Sequence, residues 1–419
     1  MLTRLDRVRS FALHETMVPA ANVSLAAQTA IEQSLVSGRR AVRAMVRSFL
    51  AWLTGAPGSR ATAAEAQRRF SLLRLRFNTT LSHFDLFADA LTQRSEHDTG
   101  IWLSGLDVAA ADALAMPGYY RSPPVVCYLD RGLGAAIRRA RTRLPGGGAN
   151  PVAIIRIPRE RMVGAGIASS LVHEVGHQAS ELLRLAPSLR PVLKGLQRGG
   201  PAAGVWRLWE RWISEILADL WSVARVGVAS TTGLMGVVSL PRAFVFRVQE
   251  DDPHPFPWIR VKLSCAIGQA LYPHPQWARL GELWESFYPA DGLDDDRRRL
   301  LAQLEGSVPA FVALLVDHRP KTLRGASLRE ALETGKRQPS HLASLHRAWR
   351  RAPELSRSAT PTEAFAVIGQ ARADRVMSPE EEGELVATLL RHWALRSTID
   401  PSAIYASLRS AAVAPAAGP

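Results

Sequence analysis

Two cysteines are all that this chain of 419 residues contains. Cys127 and Cys265 lie far apart, in the apolar settings Val125–Leu129 and Leu263–Ile267. They read as two buried free thiols, with a single disulfide as the alternative, and they rule out a cysteine-based metal site. Lysine is nearly as scarce: Lys194, Lys262, Lys321 and Lys336 are the only four among 52 basic residues. The formal net charge of +14 is therefore an arginine charge, a bias that looks compositional, as in a GC-rich genome. Long apolar runs are missing as well. The nearest, Val226 to Val245, is interrupted by Ser230-Thr231-Thr232-Gly233, Pro241 and Arg242, so no membrane insertion is expected. The first residues lead into no apolar h-region, which argues against a signal peptide and for a cytoplasmic address. Gly146-Gly147-Gly148 precedes a strand-like run and no Gly-Lys-Ser/Thr follows, so it is a turn and not a phosphate loop.

What is present starts with a composition of 47% hydrophobic and 21% charged residues, that of a globular chain with a large core. Arginines cluster at Arg39, Arg40, Arg43 and Arg47, at Arg138, Arg139, Arg141 and Arg143, and at Arg297-Arg298-Arg299. Such clusters could meet phosphate backbones or acidic lipid surfaces. They lack interleaved aromatics and any nucleic-acid module, so they read as solvated basic faces and nucleic acid is not an expected partner.

Chemistry concentrates in His173-Glu174-Val175-Gly176-His177, an H-E-x-x-H within the apolar, helix-like stretch Ile167 to Leu183. Residues four apart share a helix face, so both imidazoles can meet one zinc ion. Glu174, one position round, can take a proton from a metal-bound water. Leu171, Val172, Val175, Leu182 and Leu183 make a solvated helix implausible, and Gly176 suggests a close approach by another element. A second apolar helix, around Trp209 to Trp221, carries Glu215 and Asp219 four apart. Glu215 can close the metal shell. Asp219 can accept the other ring N–H of a ligating histidine, and its loss is expected to weaken metal binding without unfolding the chain.

With these residues in place, the chain resembles the gluzincins, zinc metallopeptidases whose H-E-x-x-H helix is followed by a helix bearing E-x-x-x-D. The resemblance covers about fifty residues, Leu171 to Leu220. It implies His173, His177 and Glu215 as zinc ligands, Glu174 as general base and Asp219 as the anchor behind a ligand. Asp252-Pro253-His254-Pro255-Phe256-Pro257-Trp258-Ile259-Arg260 contains H-P-x-x-x-x-R and is distantly similar to the corresponding segment of soluble relatives of the CAAX prenyl proteases. His254 reads either as a donor to the oxyanion of a tetrahedral intermediate or as part of a rigid Pro-rich turn. His274 is a poorer candidate for the donor, and Tyr272 an alternative one.

Apolar spacing predicts helices over Ala26 to Leu53 and Ala61 to Leu91, and, beyond Pro289, over Leu300 to Leu315, Leu342 to Trp349, Pro361 to Ala373 and Pro379 to Trp393. Val125 to Leu129 and Val152 to Ile157 read as strands, the latter as an edge strand on which a peptide substrate pairs. The expected fold is α+β and mostly α-helical, a gluzincin-like core with a small sheet. That core spans residues 100–290, between helical regions over 1–99 and 291–410 and a disordered tail over 411–419. The expected function is zinc-dependent hydrolysis of peptide bonds in a peptide or protein substrate. The alternatives are a non-catalytic, zinc-bearing helical adaptor and a basic nucleic-acid-associated protein with an accidental H-E-x-x-H. Glu174 speaks against the adaptor, because it is not a ligand and has little structural use.

Overall fold

The computed structural model describes residues 1–131, 134–142, 149–158, 164–198, 203–249, 251–332 and 334–399. The triple glycine, Arg143, the Gly199-Gly200-Pro201 break and the expected disordered tail lie outside these. After the short α1 (Leu2–Arg7), two thirty-residue helices, α2 (Leu25–Thr54) and α4 (Ala63–Thr92), form a hairpin through the single turn α3 (Ala56–Ser59). Hydroxyl caps fix where both long helices start. Ser24 accepts from the Ala27 N–H and Thr62 from the Glu65 N–H. The stripe Ala27, Ile31 and Leu35 on α2, with Phe84, Phe87 and Leu91 on α4, packs against Val126, Val152 and Ile154 of the sheet.

Helix α5 (His97–Leu114) leads into β1 (Val125–Asp130), β2 (Ala136–Arg138) and β3 (Ala153–Pro158). The strand order is β1-β3-β2, with β1 parallel and β2 antiparallel to β3. Val152 to Ile157 is therefore not the expected edge strand. It is the central one, paired with β1 on one side and β2 on the other, and both of its faces are covered: Ile154 packs toward the α2–α4 hairpin, Ala153, Ile155 and Ile157 toward the main core, and only Arg156 stays half-buried.

The outer edge of β1 is closed by side chains. Gln93 donates to Leu129 O and accepts from Leu129 N–H, both at 2.8 Å. Asp107 accepts from Cys127 N–H at 2.7 Å and the buried Arg94 donates to Cys127 O at 2.6 Å. β2 forms the other edge of the sheet.

Helix α6 (Ala165–Leu182) packs on this sheet, and α7 (Leu185–Leu196), α8 (Ala203–Val226), α9 (Val228–Val238), α10 (Arg242–Val245), α11 (Pro257–Leu271) and α12 (Gln276–Phe287) build outward from it. Gly227, in the left-handed region at φ 58°, separates α8 from α9 without a Cβ penalty. The chain continues through α13 (Asp295–Val316), α14 (Leu328–Ala331), α15 (Pro339–Arg351), α16 (Pro361–Ala373) and α17 (Pro379–Ile399). Helix α13 is, among the described residues, the one helix long and apolar enough to cross a bilayer. It packs on α11 and α8, where Phe311 stacks on Trp209 at 4.6 Å between ring centroids.

The protein is thus mostly helical with one small three-stranded sheet. The boundary expected after residue 99 falls inside α5. One hydrophobic core runs from Leu103 to Trp393, so the helices beyond residue 291 share their core with the H-E-x-x-H helix. Both cysteines are free and buried, and burial pushes the Cys265 thiol up to about 12.

Candidate metal centre

Two helices build the centre. α6 presents His173, Glu174 and His177, and α8 presents Glu215 and Asp219. The helices touch backbone to backbone at Gly176. A Cβ there would lie 2.8 Å from Ala218 Cα and 3.0 Å from Trp221 Cβ, closer than carbon atoms approach without displacement. The glycine lets α8 come near enough for the carboxylate one turn from Ala218 to reach both imidazoles.

The donor atoms of His173, His177 and Glu215 all lie within 4.8 Å of one another. His173 Nε2 is 3.3 Å from Glu215 Oε2, and His177 Nε2 is 3.5 Å from Glu215 Oε1. Donors bonded to one tetrahedral zinc at about 2.0–2.1 Å stand about 3.3–3.4 Å apart, so each imidazole lies near ligand spacing from one Glu215 oxygen, and small side-chain adjustments would bring the three donors, now within 4.8 Å, onto one ion. Glu215 Oε2 is buried, and the groups around it are nitrogen donors, with His173 Nε2 and His254 Nε2 each 3.3 Å away. The three residues fit a metal ion.

Behind them, Asp219 Oδ1 accepts from His173 Nδ1–H at 2.7 Å, which leaves Nε2 free to ligate. Asp219 is itself gripped by Arg260, whose Nε donates to Oδ2 at 2.7 Å and Nη2 to Oδ1 at 2.9 Å. Arg260 belongs to the H-P-x-x-x-x-R segment, but no signal in the sequence assigns it this role. Electrostatics follow the geometry. Burial alone would raise the Glu215 and Asp219 carboxyls. The imidazoles facing Glu215, and Arg260 with His173 beside Asp219, hold both far below the usual carboxylate range. Burial alone would lower His173, but Asp219 and Glu215 raise it to about 9.

A proton and a metal exclude each other on His173 Nε2, while the Nδ1–H toward Asp219 is kept, and the sign of the pH dependence follows. Below pH 9 the metal must displace the Nε2 proton, so affinity rises with pH by about tenfold per unit between 7 and 9 and flattens above. Chelator-competition titrations across that range, with calorimetry in two buffers to count protons released, would measure it. In the metal-free protein the raised pKa stabilises the fold fully below pH 6.5, and that contribution fades as pH climbs through 9.

His254 reaches the centre from the loop before α11. Its Nε2 stands 3.3 Å from Glu215 Oε2, and Nδ1–H donates to Asp252 Oδ1 at 2.7 Å. Asp252 also accepts the His254 backbone N–H, and these bonds outweigh burial to hold its carboxyl low. Glu174 makes no hydrogen bond or ion pair among the described residues. Its carboxylate borders a cleft of about 150 Å³ together with His173, Asp219, His254 and Arg260. The remaining wall is Ser169, Ser170, Ser222, Ser230, Leu234 and Val237, with Gly134 and Ala135 at the rim. Those two residues lead directly into β2, which is fastened to α6 where Gln178 accepts from Ala140 N–H and Arg139 pairs with Glu181. The edge strand beside the motif helix is therefore β2 and not the run Val152 to Ile157.

Two sequence candidates stay away. Tyr272 is buried and donates its hydroxyl to Ala224 O at 2.6 Å, and His274 sits in the turn before α12, its Nδ1 accepting from Gln276 N–H. Neither lines the cleft. Compared with known proteins, the chain matches no family model, no curated protein and no solved structure.

Proposed function

We propose that the protein is a zinc-dependent peptidase of gluzincin type. The observation that carries the reading is Glu174: a carboxylate with no hydrogen bond or ion pair among the described residues, on the wall of a cleft, beside a three-donor metal cluster of which it is not a member. A purely structural metal site needs no such group, and structural zinc sites take four protein ligands where this one has three. Two imidazoles and a carboxylate are ligands that suit zinc. Bound there, zinc would supply Lewis acidity, polarising the scissile carbonyl and bringing the pKa of water to about 7.

The protein's own groups do the rest. A Glu174 carboxylate oxygen takes the proton of the attacking water and hands it to the leaving amine. Asp219, held by Arg260, keeps the proton of His173 on Nδ1. His254, oriented by its ring hydrogen bond with Asp252 Oδ1, presents Nε2 to the developing oxyanion. An extended substrate adds to the outer edge of β2 by backbone hydrogen bonds, which brings its scissile bond across the cleft. The cleft's serines, Leu234 and Val237 suit an uncharged side chain next to that bond.

Protein purified without chelator is expected to hold about one zinc per chain and to cleave a mixed peptide library, with uncharged residues favoured beside the cut. Dialysis against a chelator should abolish cleavage and zinc should restore it. Bound zinc with no cleavage anywhere in a broad library would turn the reading towards an adaptor. Protein that binds no zinc at all would remove it.

A further inference from the structure

The α2–α4 hairpin has two halves with different surroundings. Its base packs on the sheet, but its free end does not. Val42, Val46, Leu73 and Phe77 form a separate small core with Leu5, and every residue packed against that core lies between Met1 and Leu81. Thirty helical residues span about 45 Å, so the free end stands well away from the base. Residues 33–84 contain nine arginines, no lysine and one acid, Glu65.

Some of those arginines are engaged. Arg39 and Arg43 face Asp6, and Arg69 pairs with Glu65 and lies over the Trp52 ring at 4.2 Å. Arg40, Arg47, Arg60, Arg68, Arg74 and Arg76 are exposed and form no ion pair among the described residues. Large apolar side chains are exposed among them: Leu50 at 43%, Leu53 at 41%, Leu72 at 61% and Leu75 at 64%. On α4, Arg68, Leu72, Leu75 and Arg76 follow each other at helical spacing on one face. At the tip of α2, Phe49 and the half-buried Trp52 stack at 5.9 Å.

We infer that the free end of the α2–α4 hairpin docks on an anionic lipid surface, with leucines and Trp52 entering the interface and arginines meeting headgroups. Charge alone would suit a nucleic acid equally. Four exposed leucines have nothing to meet on a phosphate backbone, whereas a bilayer boundary takes in apolar side chains and rewards cations beside them. Tryptophan favours the same boundary, its ring apolar and its N–H wet. The inference concerns a surface apart from the metal centre and does not rest on the peptidase reading.

Co-sedimentation of the full chain with vesicles tests it. Binding is expected to phosphatidylcholine vesicles containing about one third phosphatidylglycerol, and not to phosphatidylcholine alone. Leu72→Ser combined with Leu75→Ser should lower the partition coefficient at least about tenfold. Arg68→Gln combined with Arg76→Gln should lower it by a similar factor. All four side chains are exposed, so melting temperatures should not move. Absent or charge-independent vesicle binding would overturn the inference. So would leucine variants that bind anionic vesicles as well as the parent while short duplex DNA is held as tightly, since that surface would be reading charge alone.

Discussion

Replacing Glu174 by glutamine is expected to lower peptide cleavage by about 10²–10⁴-fold while leaving zinc content and melting temperature nearly unchanged. The substitution keeps side-chain volume and helix propensity and removes only the capacity to accept a proton. Glu174 forms no hydrogen bond or ion pair among the described residues, and its charge acts on the fold only as a through-space contribution to Arg260, smaller than that of Asp219. His173→Ala makes the contrast: it removes an Nε2 donor from the cluster and should lose metal and activity together. Wild-type turnover in the glutamine variant, measured on the peptides the parent cleaves, would strike Glu174 from the mechanism. A large loss of zinc in that variant would show instead that the carboxylate serves the metal shell.

Asp219→Ala is expected to damage two things at once. Zinc affinity should fall by the ~10–100-fold that follows loss of a carboxylate behind a ligating histidine. Stability of the metal-free protein should fall too, because Arg260 would remain buried with its main partner gone, a loss of about 3–5 kcal/mol for a broken buried pair. The sequence alone predicts only the first effect. The two separate in a double variant: Asp219→Ala with Arg260→Met removes the stranded charge, so urea unfolding should recover while zinc affinity stays low. Full recovery of affinity in the double variant would mean that Asp219 acts on the metal only by balancing Arg260. An unaltered denaturation midpoint in the single variant would mean that water reaches the guanidinium and the pair is not closed off.

Much of this architecture is legible in the sequence because helices write themselves at short range. The spacing of Ala27, Ile31 and Leu35 marks α2, and the clustering of Trp209, Ile213, Ile216 and Leu220 marks α8. The metal cluster is legible for the same reason, since each half lies within a turn of one helix. What escapes depends on contacts distant in sequence. β2 is three residues long, too short for an alternating pattern, and exists because β3 offers it an antiparallel partner. The centrality of β3 is implicit in its apolar residues on both faces, Ala153, Ile154, Ile155 and Ile157, but Arg156 interrupts the run and lets it pass for an edge. Arg260 finds its carboxylate 41 residues upstream, a pairing that no local pattern encodes. Helix α7 is hidden by Pro191, which sits inside it, in a connection that reads as irregular.

The contact at Gly176 sets the terms on which the centre can change shape. None of the three donors rides on a loop: each projects from the middle of a helix, and the two helices meet with no side chain between them at that point. Nothing there can hinge like a flap. A cation reaches and leaves the donors from the cleft side, but the spacing of the donors is fixed by the packing of α6 on α8, and changing it would uncover Val172, Val175, Ile216 and Leu217 together. The geometry of the centre is thereby as rigid as the core beneath it, and only the rare excursions that breach the protein's interior can distort it.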